Sequence, residues 1–299
     1  MVHEHAPVVA AVNGTPASDR ALDWAADDAR SRGLDLRVVY AFDWPHYHAV
    51  PHGLPGFDLD EFARRIVEEA RRRVLERVPD LTVEAVHITG DPEPVLLRES
   101  QKAHSLVVGA HRMTTLDAVL PDSTALDLLV AASCPLVVVP DRDPGPAKGR
   151  VLVGVDGSAT SRAAAEWAFS TADVRGSVLR AVTVHRGGPW WRFGALEDPS
   201  WTRTDEERKT EEAAAEKEAR RILSESIAQE RANRPRVRVE EVVATGHPVE
   251  ALCATASDCD LMVVGSRGRG GFAGMLLGSV SRNVISHSPC PVAIIRPPH

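Results

Sequence analysis

Gly265-Ser266-Arg267-Gly268, followed by Gly278-Ser279, is a set of residues suited to holding phosphates. Glycine lets the backbone approach an anion closely, and the N–H groups at a helix start point at it. Glycines also mark ordinary turns, so their presence alone decides little. The spacing narrows the reading: glycine, two residues, glycine, nine residues, then Gly-Ser. Main-chain N–H groups around Gly268 and from Gly278 through Ser279 to Val280 would surround the phosphates. The hydroxyls of Ser279 and Ser281 would add donors, and Gly265 would let a ligand pack against a strand end. Arg267 and Arg269 are flanking cations that either touch a phosphate or stay solvated.

These groups need a strand before the loop and a helix after it. Leu261-Met262-Val263-Val264 is a short apolar run that reads as a buried strand. Ser279-Val280-Ser281-Arg282-Asn283-Val284-Ile285 reads as a helix start with a hydroxyl cap. Asp156 ends another apolar run, Val151 to Val155, at the place where open α/β sheets put ligands. Asp-Gly-Ser there also suits a plain turn.

The glycine spacing resembles the ATP-binding signature of the universal stress protein family. Val151-Leu152-Val153-Gly154-Val155-Asp156-Gly157-Ser158 resembles that family's first strand and loop, and Ser288-Pro289-Cys290-Pro291-Val292-Ala293-Ile294-Ile295 its closing strand. The resemblance implies an open parallel sheet with helices on both faces and a nucleotide at the carboxyl ends of the strands. It also places Asp156 against the adenosine half of ATP, remote from the γ-phosphate, with Gly154, Val155 and Val184 lining the adenine pocket.

The chain carries the unit twice. Val8 to Thr15 aligns with Val151 to Ser158, Trp24 with Trp167, and Leu36-Arg37 with Leu179-Arg180, at one constant offset. Thr89-Gly90-Asp91-Pro92 aligns with Thr245-Gly246-His247-Pro248, Val107-Val108-Gly109 with Val263-Val264-Gly265, and Cys134-Pro135 with Cys290-Pro291, at a second, larger one. One insertion in the second copy accounts for both. The expected architecture is two tandem, open, parallel five-stranded sheets of Rossmann-like α/β type. Its domains are 1–140 and 151–299, with a Pro/Gly-rich linker over 141–150. In the second copy the expected strands are Val151–Val155, Val178–Val184, Val237–Ala244, Leu261–Gly265 and Val292–Arg296. The expected helices are Ser161–Ala172, Asp205–Arg231, Pro248–Ala256 and Ser279–His287.

The first copy departs from the pattern at the site. Asn13 stands for the aspartate, and Arg112 and Asp122 for two of the glycines, while Gly109 and Ser123 remain. A second carboxylate beside phosphates is repulsive. The first copy therefore reads as a degenerate domain that keeps the fold and has lost or greatly weakened ATP binding.

Composition sets bounds. The net charge of -7 argues against a general nucleic-acid or anionic-membrane binder. No apolar run is long enough to span a bilayer, and the first apolar run reads as strand one rather than a signal peptide. The four cysteines lack CxxC or zinc spacing, which suits reduced thiols and a cytoplasmic setting. Thr204 with Glu207 fits a capping box that opens an amphipathic helix presenting Ala215, Ala219, Ile222, Leu223 and Ile227 on one face. Trp190, Trp191, Phe193 and Trp201 read as a lid, a partner patch or ordinary loop packing. His46, His48 and His52 read as solvated imidazoles rather than metal ligands.

The expected function is a nucleotide-dependent regulator of the stress response, holding ATP with or without magnesium and turning it over little or not at all. The competing reading is a slow ATPase or phosphotransfer enzyme. Against that reading, there is no GxxxxGK[ST] loop and no paired carboxylate obviously placed for magnesium. Single-domain members of the family pair through their last strands. The expectation here is that Leu136–Val139 and Val292–Ile295 pair antiparallel, one chain imitating a dimer, with further homodimerisation open.

Overall fold

Val8-Val9-Ala10-Ala11 and Leu261-Met262-Val263-Val264 are apolar without alternation, which suits strands covered on both faces. Of these eight residues only Ala11 is not fully buried. The computed structural model describes residues 6–42, 59–110, 128–143, 145–185, 204–269 and 277–296. Arg112, Asp122, Ser123, Trp190, Trp191, Phe193, Trp201, His46, His48 and His52 lie outside them.

In chain order the first half comprises β1 (Val8–Ala11), α1 (Pro16–Arg32), β2 (Leu36–Phe42), α2 (Leu59–Arg77), β3 (Val83–Thr89), α3 (Pro92–Ser100), β4 (Ser105–Gly109) and β5 (Leu136–Val139). The second half follows as β6 (Arg150–Gly154), α4 (Ala159–Arg175), β7 (Val178–His185), α5 (Asp205–Asn233), β8 (Val239–Thr245), α6 (Pro248–Thr255), β9 (Leu261–Gly265), α7 (Ser279–His287) and β10 (Val292–Ile295).

The chain forms two compact units, residues 1–146 with 290–299, and residues 147–289. In the first unit the strands run β3-β2-β1-β4-β5, all parallel. β10 joins this unit antiparallel to β5, with Val292 opposite Val138, Ala293 opposite Val137 and Ile294 opposite Leu136. Pairing two apolar edge strands satisfies N–H and C=O groups that would otherwise be left open. The second unit carries β9-β6-β7-β8, again parallel. The compact unit thus ends before the last strand of the sequence repeat.

Element ends differ little from the sequence expectation. α4 begins before Ser161 because Ser158 caps it, accepting the Ser161 N–H at 3.1 Å. β8 starts at Val239 rather than Val237, because the Val237 N–H turns back to Arg234 O at 3.1 Å. The capping box of α5 is formed in both directions: Glu207 N–H donates to Thr204 Oγ1 at 3.2 Å, and Thr204 N–H to the Glu207 carboxylate at 2.8 Å. Ala219, Leu223 and Ile227 form the buried part of its apolar face. α4 packs with α5, and α6 with α7. Among the described residues no helix is long and apolar enough to cross a membrane.

Candidate functional site

Asp156 follows β6 in a tight turn, and its carboxylate is held by the backbone. Oδ1 accepts the Ser158 N–H at 3.0 Å, and Oδ2 accepts the Arg269 N–H at 2.9 Å. Burial on its own pushes this carboxyl up, but hydrogen bonds from Ser158, Arg269 and Ser161 outweigh it and hold the group below its ordinary range. Asp156 is therefore ionised at neutral pH. It ties the β6 turn to the glycine loop after β9, an arrangement that the sequence reading, with Asp156 remote from the far phosphate, did not anticipate.

The glycines of the loop differ in what they are for. A Cβ on Gly265 would lie 2.8 Å from the backbone carbonyl carbon of Thr160, so the first turn of α4 demands glycine there. A Cβ on Gly268 would lie 2.5 Å from Asp156 Oδ2, so the close approach of that carboxylate demands glycine too. Gly278 is another matter. Its φ is -77°, and the nearest atom to an added Cβ is Ser266 O at 3.4 Å, an ordinary contact. The protein's own fold does not require glycine at that position.

Gly278 caps α7. Its N–H donates to Ser266 O at 2.8 Å, fixing the helix start beside the strand end. Ser281, 2% exposed, donates from Oγ to Ser266 O or to Gly278 O, each at 2.9 Å. Its hydroxyl is thus engaged in holding the helix start rather than open to a ligand. Gly278 provides no side-chain cap, and the N–H groups of Ser279, Val280 and Ser281 have no partner among the described residues. Ser279 is exposed, and so are Arg267 and Arg269. Arg267 is positioned through its carbonyl, which accepts the Thr160 hydroxyl. The Arg269 guanidinium lies over Gly157, where an added Cβ would come 2.9 Å from its Nη2.

Gly154, Val155 and Val184 lie at the carboxyl ends of neighbouring strands. The Val155 N–H donates to Val182 O at 2.8 Å, and its carbonyl accepts the Thr183 hydroxyl at 2.7 Å. Beside Gly154 stand Leu252 Cδ2 of α6 and Val264 Cγ1 of β9, 3.2 and 3.4 Å from where its Cβ would be. The matching positions of the first unit surround a space of their own. Ala11 pairs with Val39 in β1–β2 as Gly154 pairs with Val182 in β6–β7, so the two halves share one register. In the first unit Ala11, Val12, Asn13, Ala41 and Gly109, the counterparts of Gly154, Val155, Asp156, Val184 and Gly265, all line one cavity of about 150 Å³.

A sequence model described as the universal stress protein family matches residues 5–140 and again 148–296. The chain belongs to the universal stress protein family. A universal stress protein of Mycobacterium tuberculosis is 34% identical over 318 residues, covering 97% of this chain and 95% of that protein. The crystal structure of a universal stress protein from Archaeoglobus fulgidus DSM 4304 aligns over 98% of this chain and 99% of its own at 19% identity, with a TM-score of 0.67, which shows the shared fold. A universal stress protein solved in complex with cAMP covers 51% of this chain at 29% identity, with a TM-score of 0.35.

Within this universal stress protein, three contributors escaped the sequence reading. Thr160 supports the Arg267 carbonyl, Leu252 fills the space above Gly154, and Ser266 receives both Gly278 and Ser281. Only Thr160 left a trace: the repeat puts Ala17 in its place, so the hydroxyl belongs to one copy alone. Among the described residues no three His, Cys, Asp or Glu side chains group as metal ligands do.

Proposed function

We propose that the second unit binds one adenine nucleotide, ATP, and that its occupancy regulates a partner instead of feeding turnover. The observation that carries this reading is Gly278. The fold leaves room for a side chain there, yet the residue is glycine, and it opens a helix whose first N–H groups are unpaired. Partial positive charge and free donors at that helix start suit a phosphate. Arg267 supplies an exposed cation beside it. Asp156, ionised and acceptor-only, suits hydroxyl donors of a ribose. The apolar Gly154, Val155 and Val184 strand ends, with Leu252 and Val264 beside Gly154, suit contact with a flat base.

Regulation is favoured over catalysis by the kinds of groups present. Backbone donors hold a phosphate in the ground state, whereas phosphoryl transfer needs a metal-bridging acid and a group that orients the nucleophile. The carboxylate at hand, Asp156, already accepts a backbone N–H on each oxygen, which leaves a lone pair for a ribose hydroxyl but holds its pKa down and makes it a poor base for orienting a nucleophile. The β5–β10 pairing favours a chain that reproduces internally the strand contact of a dimer. The test is to release nucleotide from freshly purified protein by denaturation and to quantify it, alongside multiple-turnover hydrolysis. One adenine nucleotide per chain with hydrolysis far slower than one per second is the expected result. No nucleotide and no affinity for added ATP would overturn the binding, and turnover near one per second would overturn the regulatory role.

A further inference from the structure

The two units hold the amino ends of their central strands differently. In the second unit the Asp260 N–H donates to Arg150 O at 2.8 Å, and in the first the His104 N–H donates to Pro7 O at 2.9 Å. Asp260 and His104 are therefore counterparts, as the repeat offset also places them. Asp260 anchors its strand with its side chain: the carboxylate accepts the Lys148 N–H at 2.7 Å and the Arg150 N–H at 3.1 Å. The His104 ring makes no such anchor. Its Nε2 is buried and has no hydrogen-bond partner among the described residues. β1 contributes the Pro7 carbonyl, which the His104 N–H already takes. α1 contributes Asp28 and Arg32, an ion pair at 2.8 Å whose side chains are 0% and 5% exposed.

A neutral imidazole carries hydrogen on one ring nitrogen, so Nε2 stays bare in this place. An imidazolium carries hydrogen on both. It would set a charged donor where no acceptor meets it and add a second cation near Arg32. Burial first, and then the charge of Arg32, hold His104 below its ordinary value of 6.5, and Asp28 offsets them in part.

We propose that His104 makes the first unit acid-sensitive: proton uptake there loosens the start of β4 from β1 and α1, while Asp260 keeps the matching strand of the second unit anchored. The folded first unit disfavours the protonated ring. The stability that goes with neutral His104 is therefore fully present above pH 6.5 and is lost as the pH falls below it.

The test is native-state hydrogen exchange of the full chain, corrected for the intrinsic pH dependence of amide exchange. Opening of Ala103–Val107 should increase about fivefold between about pH 7.5 and about pH 5.5, and opening of Cys259–Val263 should change much less. In His104→Gln, uncharged throughout this range, the response of Ala103–Val107 should shrink to that of Cys259–Val263. NMR titration of the His104 ring in the wild-type chain gives a second reading that stands even if the variant fails to fold, with a midpoint expected below 6.5. An equal response of the two segments, an unaltered response in His104→Gln, or a His104 midpoint at or above 6.5 would each overturn the proposal.

Discussion

The two units share a register and part company at a handful of positions around the strand ends. Gly109 and Gly265 behave alike: a Cβ would come 2.5 Å from the Ala17 carbonyl oxygen in one unit and 2.8 Å from the Thr160 carbonyl carbon in the other. That glycine belongs to the fold, because a helix start packs on the strand end in both. Asp156 and Gly268 belong to the second unit, where the carboxylate reaches across to the Arg269 N–H. The N–H two positions on is accepted in both units, from Ser158 by Asp156 at 3.0 Å and from Thr15 by Asn13 at 3.2 Å. Duplication thus separates what the architecture needs from what a ligand needs. Gly278, which the architecture does not need, falls on the ligand side in the proposed reading.

The sharpest break in this comparison is Gly278→Asp, which gives the second unit the residue found at Asp122 in the first. ATP affinity should fall about 100-fold, from lost donors and added repulsion, while the thermal midpoint of the unliganded protein stays close to wild type. Calorimetry and a melting curve check both halves of that statement. Gly109→Ala and Gly265→Ala test the opposite class. Each should cost about 1–3 kcal/mol in denaturant unfolding, and the two costs should be similar. A marked asymmetry would mean that one of these glycines serves more than helix packing.

Gly268→Ala should destabilise by about 1–2 kcal/mol by driving the Asp156 carboxylate off the Arg269 N–H. In an Asp156→Ala background the same change should cost little, and a double-mutant cycle measures the difference. Additive effects would show that Gly268 is not there for Asp156. The smallest effect is on pH. Asp156 has a folded pKa below its ordinary value of 3.8, so its contribution is fully present above that value and is lost as pH falls through the lower folded one. The Arg269 amide resonance should therefore titrate with a midpoint below 3.8.

Much of the fold was legible because its signals are local. Leu261–Gly265 and Ser279–His287 have the bounds expected from an unbroken apolar run and a Gly-Ser start, and the Thr204–Glu207 box forms as its spacing implies. The antiparallel pairing of Leu136–Val139 with Val292–Ile295 was expected from the family resemblance, whereas its register depends on side-chain packing that two alike apolar runs do not specify. The site was legible as a set of positions but not as a set of contacts. Glycines at 265, 268 and 278 look alike in a sequence, and only the distances to Thr160, Asp156 and Ser266 show which the fold requires. Ser281 looks like a phosphate donor until its burial and its two carbonyl partners are known. The cavity in the first unit was hidden because departures from a motif signal a loss, while the space they leave depends on Ala11, Ala41 and Leu96 meeting in three dimensions.

The measurement that bears most directly on the division of labour between the units is the stoichiometry of ATP binding to the full chain by titration calorimetry. One site per chain, abolished by Gly278→Asp, is the result expected from the open helix start in the second unit. Two equivalent sites, or one site that survives Gly278→Asp, would contradict it.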